Sequence, residues 1–354
     1  MRLTCTQENL SRGLNIAARF GDNNINLPIL NNILLQARKD GLSLSATNLE
    51  LAIKTKVRGK IESEGDFTVH ARLLAEFVNT LKRENVEIRL EEKNLQIKGE
   101  NHQTSIRGLD ASDFPLIPDV ENKYSYTVST PLLAEALNQT LFAVSTDDSR
   151  PELTGVYIQF KEKTCVFAAT DSYRLAEKSI HLQKTSGEEK SVIIPGKTLQ
   201  EVQRILALEN AETVDITIND NQLSFRFGET EVISRVIAGE YPDYQQIIPK
   251  QFGNEVVFHT MDMTQAVKTT SLFCKQGIND VRVSLEKRFK DIAINAENSS
   301  LGKNVSNVAT TSEGQEMDIV FNYRFLLDGL QHLTGDTATL KTNDATSPAL
   351  LVSS

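Results

Sequence analysis

The 354-residue sequence predicts an α+β chain made of three tandem repeats, each with two helices and two antiparallel sheets. The main observation is the segment Ala169–Leu175, which directly follows an alternating apolar strand. Fainter copies surround Thr47 and Glu297, which lie 123 residues before and 127 residues after Thr170. A segment that recurs at this spacing indicates a repeated module of domain size. We therefore predict domains at residues 1–120, 121–250 and 251–354.

The first repeat contains two apolar patterns with the period of an α-helix. One pattern starts at Leu10, and the other runs from Ala71 to Leu81 and is expected to bury Leu73 and Leu74. Alternating apolar residues predict strands before, between and after these helices. The later strands of the repeat are predicted at 33–35, 42–44, 52 onward, 67–69, 86–90, 95–98 and 104–107.

The second and third repeats follow the same order. Thr130 is expected to cap a helix that has Pro131 in its first turn, and a later helix carries Leu199 and Leu206. A hairpin and one further strand close the second repeat. The third repeat has a helix from about Met263, a second helix and a hairpin, but no counterpart of that further strand. We therefore expect the third repeat to lack its final strand.

Composition excludes several classes of protein. No apolar run approaches the roughly 20 residues that cross a membrane. The net charge of −9 argues against a protein that coats nucleic acid by bulk attraction, although positive charge can still occupy one surface. Cys5, Cys165 and Cys274 are far apart and have no CxxC spacing. We therefore predict reduced thiols in a cytoplasmic protein.

The sequence contains no motif of a standard catalytic, nucleotide-binding or metal site. Its five histidines are scattered, so we predict no metal and no cofactor. Asp171 is the carboxylate on which an alternative function would rest, a small α+β enzyme acting on phosphoesters or nucleotides. The other interpretation is that Asp171 caps a turn beside Arg174. We favour the turn, because Asn48 occupies the same place in the first repeat, and we predict a protein without catalytic residues.

Four segments, in this order and at this spacing, resemble the bacterial sliding clamp family, the β subunit of the replicative DNA polymerase III holoenzyme. They are Leu27–Leu30, Arg150–Val156, Ala169–Ala176 and Tyr241–Tyr244, the last followed by Pro249. The resemblance implies that two chains join head to tail in a ring of six domains around duplex DNA. Such a ring slides without reading sequence and tethers the polymerase, the clamp loader and other partners.

The resemblance also implies three sets of functional residues. A peptide-binding groove between the second and third domains would include Leu153, Thr170, Ser172, Tyr173, Arg174, Leu175, Pro242, Gln246, Ile247, Ile278 and Pro348. Tyr173 stands where His is frequent in the family, and Gln246 stands where Arg occurs. A dimer contact would join Phe77, Leu81 and Ile106 to Leu272 and Phe273, although Phe77 and Leu81 could equally belong to the core of their own domain. The residues implied to face DNA are Asn24, Arg72, Arg150 and Lys197.

Overall fold

The computed structural model describes residues 1–20, 27–185, 188–275, 277–285, 291–313 and 315–354. The chain divides into two compact units, Met1–Glu240 and Tyr241–Ser354. Each unit has its own hydrophobic core. Both units combine α-helices with antiparallel strands, which confirms the predicted fold class.

The first unit contains four α-helices among its described residues. They are α1 (Gln7–Ala17), α2 (Ala71–Thr80), α3 (Thr130–Thr140) and α4 (Gly196–Leu206). The strands of this unit are β1 (Arg2–Thr6), β2 (Asn32–Arg38), β3 (Gly41–Thr47), β4 (Leu51–Val57), β5 (Lys60–Ser63), β6 (Gly65–His70), β7 (Asn85–Glu91), β8 (Asn94–Lys98), β9 (Gln103–Leu109), β10 (Tyr124–Ser129), β11 (Gly155–Phe160), β12 (Thr164–Thr170), β13 (Leu175–Thr185), β14 (Lys190–Pro195), β15 (Thr213–Ile218), β16 (Gln222–Phe227) and β17 (Thr230–Arg235). Two 3₁₀ turns, Pro28–Asn31 and Pro151–Thr154, lead into β2 and β11.

The second unit repeats the pattern once. Its helices are α5 (Thr260–Ser271) and α6 (Tyr323–His332). Its strands are β18 (Asn254–His259), β19 (Asp280–Leu285), β20 (Asp291–Asn298), β21 (Gly302–Glu313), β22 (Met317–Asn322), β23 (Thr337–Thr342) and β24 (Leu350–Ser353). Within the described residues, β24 is the last strand. The expected loss of a final strand from the third repeat stays a prediction.

The first two repeats share their strand register as well as their sequence pattern. Strand β2 pairs with β3 so that Leu34 lies opposite Ser45. Strand β11 pairs with β12 so that Tyr157 lies opposite Ala168, and both of these residues are 123 positions further along the chain. The same backbone arrangement therefore occurs twice, which lets residues of the two repeats be compared position by position.

Long-range bonds join the first repeat to the second. Strand β17 runs antiparallel to β4, and the hydroxyl oxygens of Thr55 and Thr230 lie 2.8 Å apart in this contact. Arg204 of α4 donates to the backbone oxygens of Asn15 (3.1 Å) and Ile16 (2.9 Å) at the end of α1. The last carbonyl oxygens of a helix generally lack partners inside it, and a cation at this end also complements the helix dipole. Arg204 therefore acts as the C-terminal cap of a helix in another repeat.

Two local predictions are wrong. Leu73 is 51% exposed, because α2 rests on a single surface and buries the stripe that contains Leu74, Ala75 and Val78. The helix α3 begins at Thr130, so its N-cap is Ser129. The hydroxyl of Thr130 donates to the backbone oxygen of Ala211 at 2.6 Å, which is a contact between distant parts of the chain.

Candidate functional site

The turn between β12 and β13 is the best-defined candidate site. Its bonds come from two side chains. The hydroxyl of Thr170 donates to the backbone oxygen of Arg174 (2.7 Å) and accepts from the N–H of Ser172 (3.1 Å). The carboxylate of Asp171 accepts from the N–H groups of Tyr173 and Arg174, both at 3.0 Å. Side chains thus replace the backbone partners that a turn lacks, and they hold the turn in one conformation.

Asp171 is a structural residue of this turn. Its second carboxylate oxygen accepts from Nε of Arg174 at 3.0 Å, so both oxygens already have partners. In the first repeat, the side-chain oxygen of Asn48 accepts from the N–H groups of Glu50 (3.1 Å) and Leu51 (2.8 Å). An amide performs the same task, so the turn needs no ionisable group. This confirms the turn-capping interpretation and leaves the enzyme alternative without support.

The turn presents an exposed aromatic side chain next to an arginine that is held by several contacts. Tyr173 is 84% exposed, whereas Leu153 is buried. The Arg174 guanidinium lies 5.4 Å from the centre of the Phe142 ring, a distance typical of a cation–π contact. Arg150 donates from Nη1 to the Ser172 hydroxyl at 3.1 Å, which links the turn to the 3₁₀ segment before β11. The two segments therefore contribute to one surface.

The other predicted peptide-binding residues belong to the second unit. Ile247 and Ile278 are 58% and 59% exposed. The amide of Gln246 donates to Asp243 at 2.7 Å. Pro242 is partly buried and Pro348 is exposed.

Asp344 organises the loop that precedes Pro348. Its carboxylate accepts from the hydroxyl and N–H groups of Ser347 and Thr346, at 2.7 to 2.8 Å. These bonds hold the pKa of Asp344 far below its ordinary value, with the Ser347 hydroxyl as the largest cause. Asp344 therefore remains ionised at ordinary pH, and its bonds fix the loop.

The predicted DNA-facing residues differ in their surroundings. Arg72 and Lys197 are exposed and have no ion-pair partner among the described residues. Each is the second residue of its helix, α2 or α4, and Arg324 has the same position in α6. Arg150 pairs with Glu152 at 3.2 Å. Asn24 lies outside the described residues.

Arg324 is not among the residues that the family resemblance implies to face DNA. The signal that could have found it is the basic residue at the second position of the later helix in every repeat.

The five predicted dimer residues also differ in exposure. Leu81 and Ile106 are buried inside the first unit, and Phe77 is half-buried. Leu272 is 71% exposed at the end of α5, and the adjacent Phe273 is partly buried. Leu81 and Ile106 are therefore core residues of their own unit, and the role of all five in a dimer stays a prediction.

The cysteines offer no reactive nucleophile. All three are free and buried, as expected for reduced thiols. Burial raises the pKa of Cys5 to about 12 and raises that of Cys165 well above its ordinary value. The residues that the structure describes contain no group of three or more side chains able to hold a metal ion. None of the described helices is long and apolar enough to cross a membrane.

The fold defines a class of protein: a chain of repeated α+β domains. Family models of the DNA polymerase III beta subunit match three successive ranges. The N-terminal, central and C-terminal domains match residues 1–118, 127–243 and 245–354. The chain therefore belongs to the DNA polymerase III beta subunit family. Members of this family are accessory subunits, which confirms the prediction of a non-enzymatic protein, while the exact domain bounds predicted above stay a prediction.

Individual relatives agree over almost the full length. The beta sliding clamp of Bacillus subtilis is 31% identical over 361 residues, which cover 99% of this chain and 95% of the relative. The beta sliding clamp of Synechocystis sp. is 30% identical over 371 residues, with the same coverage. The crystal structure of the Bacillus subtilis DNA polymerase sliding clamp matches with a TM-score of 0.94 at 29% identity, covering 99% of this chain and 95% of that one. A Pseudomonas aeruginosa sliding clamp bound to griselimycin matches with a TM-score of 0.95 at 27% identity and the same coverage.

Proposed function

We propose that this chain is a DNA polymerase processivity factor that works as a closed ring of two copies around duplex DNA in the cytoplasm. The observation that carries the proposal is the match of three successive beta subunit domains over nearly the whole chain. A closed ring stays on DNA because of its topology, so weak and salt-sensitive phosphate contacts are sufficient and allow sliding. Tethering the polymerase raises its effective concentration at the primer end, which makes synthesis processive. The free, buried thiols suit a reducing compartment.

The repeated cations of the helices support a DNA-facing surface. Arg72, Lys197 and Arg324 each follow the first residue of a helix. A cation near the start of a helix meets the positive end of the helix dipole, which is an unfavourable interaction. Three repeats keep a basic residue at this unfavourable position, and contact with a phosphate backbone explains why. Arg150 and Asn24 complete the proposed set.

The contact between the first two repeats supplies a template for the dimer. Strand β17 is the last strand of the second repeat, and it joins the sheet of the first repeat by pairing with β4. Strand β9 has the same place in the first repeat, and β21 is the counterpart of β4 in the third. Within the described residues, β9 at 103–107 pairs only with β8, and β21 at 302–309 pairs only with β20. The open edges of β9 and β21 correspond to the edges of β17 and β4 that pair with each other. They therefore favour pairing of β9 in one copy with β21 in the other.

Exposed apolar residues near these edges support the same arrangement. Val305 on β21 is 57% exposed, and Leu272 at the end of α5 is 71% exposed. Covering these side chains with a partner would remove apolar area from water, which favours association. We propose that Leu272 and Phe273 meet the edge of the partner's first repeat, where Phe77 is half-buried and Leu81 and Ile106 lie just beneath.

The turn between β12 and β13 is the proposed floor of the peptide-binding site. Leu153 and Leu175 supply an apolar base, and Thr170 and Ser172 hold the turn. The exposed Tyr173 and the fixed Arg174 meet the peptide. Peptide-binding roles are also proposed for five residues of the second unit, Pro242, Gln246, Ile247, Ile278 and Pro348.

One experiment tests the topological mechanism. The chain is loaded by the clamp loader with ATP onto a singly nicked circular plasmid, and its retention during gel filtration is measured before and after the plasmid is cut. A closed ring remains on the circle and slides off the linear form. Equal retention on both forms would contradict the proposal.

A second experiment tests the dimer. The variant Leu272→Lys places a charge in the proposed contact, and we expect the dissociation constant of the dimer to rise about tenfold or more. The control is Met261→Lys, since Met261 is 83% exposed near the start of the same helix. Light scattering over a dilution series measures both. An unchanged dissociation constant for the Leu272 variant would exclude this residue from the interface.

A further inference from the structure

The first repeat contains a second copy of the turn between β12 and β13. None of the roles proposed above involves this second copy. Residues 27–31 and 47–51 form it, and we refer to it as the first-repeat turn surface. The hydroxyl of Thr47 accepts from the N–H of Leu49 and donates to the backbone oxygen of Leu51, both at 3.0 Å. Thr170 makes the same two bonds in the second repeat. The two turns therefore share one backbone conformation.

The neighbouring 3₁₀ segments are also equivalent. The N–H of Leu30 donates to the backbone oxygen of Leu27 at 3.0 Å. The N–H of Leu153 donates to the backbone oxygen of Arg150 at the same distance. Because the strands between these segments and the turns share their register, position 27 corresponds to position 150, and position 49 corresponds to position 172.

The chemistry of the two surfaces differs at these positions. In the second repeat, Arg150 and Ser172 are joined by a hydrogen bond, which shows that the two positions are in contact. In the first repeat, the equivalent residues are Leu27 and Leu49, which are 46% and 48% exposed. The hydrogen-bonded polar residues Arg150 and Ser172 are thus replaced in the first repeat by two leucines that are partly exposed to water. Leu30 lies buried below them, as Leu153 does in the second repeat.

The backbone at Leu49 makes this exposure more unusual. Leu49 and Ser172 both have a φ of 77°, in the left-handed region. Leucine is rarely found there, because its Cβ crowds the backbone and its side chain cannot bond to the turn. Leu49 therefore has an unfavourable conformation without the compensation of burial. Strain of this kind is typical of functional positions.

Charge indicates what the surface would bind. In the first-repeat turn surface, Glu50 is the single ionisable residue, and it is exposed. The equivalent segments of the second repeat contain four charged residues, Arg150, Glu152, Asp171 and Arg174, in two ion pairs. The N–H of Arg235 donates to the backbone oxygen of Glu50 at 3.1 Å, so β17 limits the surface on one side. A cation of a ligand is therefore expected on the side of Glu50 away from β17.

We propose that the first-repeat turn surface binds a short extended peptide of another protein, with two or more large apolar side chains beside a basic residue. The apolar side chains cover Leu27 and Leu49, and the basic residue pairs with Glu50. This inference goes beyond the proposed function. It concerns the first unit alone, and it requires neither a closed ring nor peptide binding at Tyr173.

The test uses two fluorescein-labelled peptides with the same leucine-leucine-phenylalanine core, one flanked by two lysines and the other by two glutamates. Fluorescence anisotropy with the full chain measures their dissociation constants. We expect saturable binding of the lysine peptide at micromolar to submillimolar concentration, and weaker binding of the glutamate peptide. No saturable binding of the lysine peptide up to about 1 mM would overturn the proposal.

The variants replace the first-repeat residues by those of the second repeat. The double variant Leu27→Arg/Leu49→Ser introduces residues that the same backbone already accommodates at positions 150 and 172. We expect it to bind the lysine peptide about 30-fold more weakly, since two half-exposed leucines lose their apolar contact. Circular dichroism during urea unfolding checks that the variant is folded. Equal binding of wild type and double variant would overturn the proposal.

Two further variants locate the peptide. Leu208→Ser is the matched control, because Leu208 is another leucine of the first unit with similar exposure, 43%, and we expect unchanged binding. Glu50→Lys should reverse the preference between the two peptides. A loss of binding with Tyr173→Ala and none with the Leu27/Leu49 variant would assign the peptide to the second-repeat turn and refute the inference.

Discussion

Replacing Thr170 by valine tests whether the Thr170 hydroxyl stabilises the turn between β12 and β13. Valine has nearly the same shape but removes two hydrogen bonds, to the backbone oxygen of Arg174 (2.7 Å) and from the N–H of Ser172 (3.1 Å). Each such bond contributes roughly 0.5–1.5 kcal/mol net. Water can partly replace them at the exposed side of the turn, so we expect the free energy of unfolding to fall by about 1–2 kcal/mol. Urea unfolding followed by circular dichroism measures this change, since the chain has no tryptophan.

The first repeat provides the matched control for this variant. Thr47 makes the same two bonds at 3.0 Å and is as well buried, so Thr47→Val should cost the same free energy of unfolding. Only Thr170→Val should weaken binding of the polymerase to the immobilised chain, because it disorders Tyr173 and Arg174. An unfolding midpoint of Thr170→Val equal to that of wild type would refute the stabilising role of the hydroxyl. Equal loss of polymerase binding in both variants would refute the special role of this turn.

Three other outcomes are expected. Arg204→Ala should lower the free energy of unfolding by about 2–3 kcal/mol in urea, because two charge-assisted bonds to the end of α1 are lost, and Arg204→Lys should recover only part of it. Cys5, with a pKa of about 12, should not react with a thiol reagent at pH 8 in the native chain and should react in 6 M guanidinium, where all thiols are accessible. A hydrogen bond from Arg38 lowers the pKa of Asp66, so this carboxylate stabilises the fold above its unfolded pKa of about 3.9 and loses that effect as the pH falls below it. The difference in unfolding midpoint between wild type and Asp66→Asn should therefore be largest near neutral pH and shrink as the pH falls below about 3.9; a difference that does not change with pH would contradict the assignment.

Local features of the fold were predictable from the sequence. The helix at Ala71–Thr80 and the turn after β12 were predicted, because both depend on residues that are neighbours in the chain. The exposure of Leu73 was not predictable, since apolar periodicity does not fix the direction from which the core approaches a helix. The same holds for Thr130, whose hydroxyl bonds to a residue 81 positions away and does not cap its own helix.

The residues of the candidate surfaces were likewise predictable only in part. The sequence identified Thr170, Asp171 and Arg174 as parts of a repeated turn, and the structure gives each the bonds expected there. It could not separate Leu81, which is buried in its own unit, from Leu272, which is exposed, because both are leucines at the end of a helix.

The sequence by itself determined the threefold repetition, the order of helices and strands, the absence of a catalytic motif and the membership of a clamp family. Each of these is written in residue type and spacing along the chain. Only the tertiary structure decided that Arg150 touches Ser172, that Leu27 and Leu49 occupy the equivalent positions, and that Arg204 caps a helix almost 190 residues earlier. The physical reason is that these contacts depend on the path of the folded chain, which brings together segments that no local pattern connects.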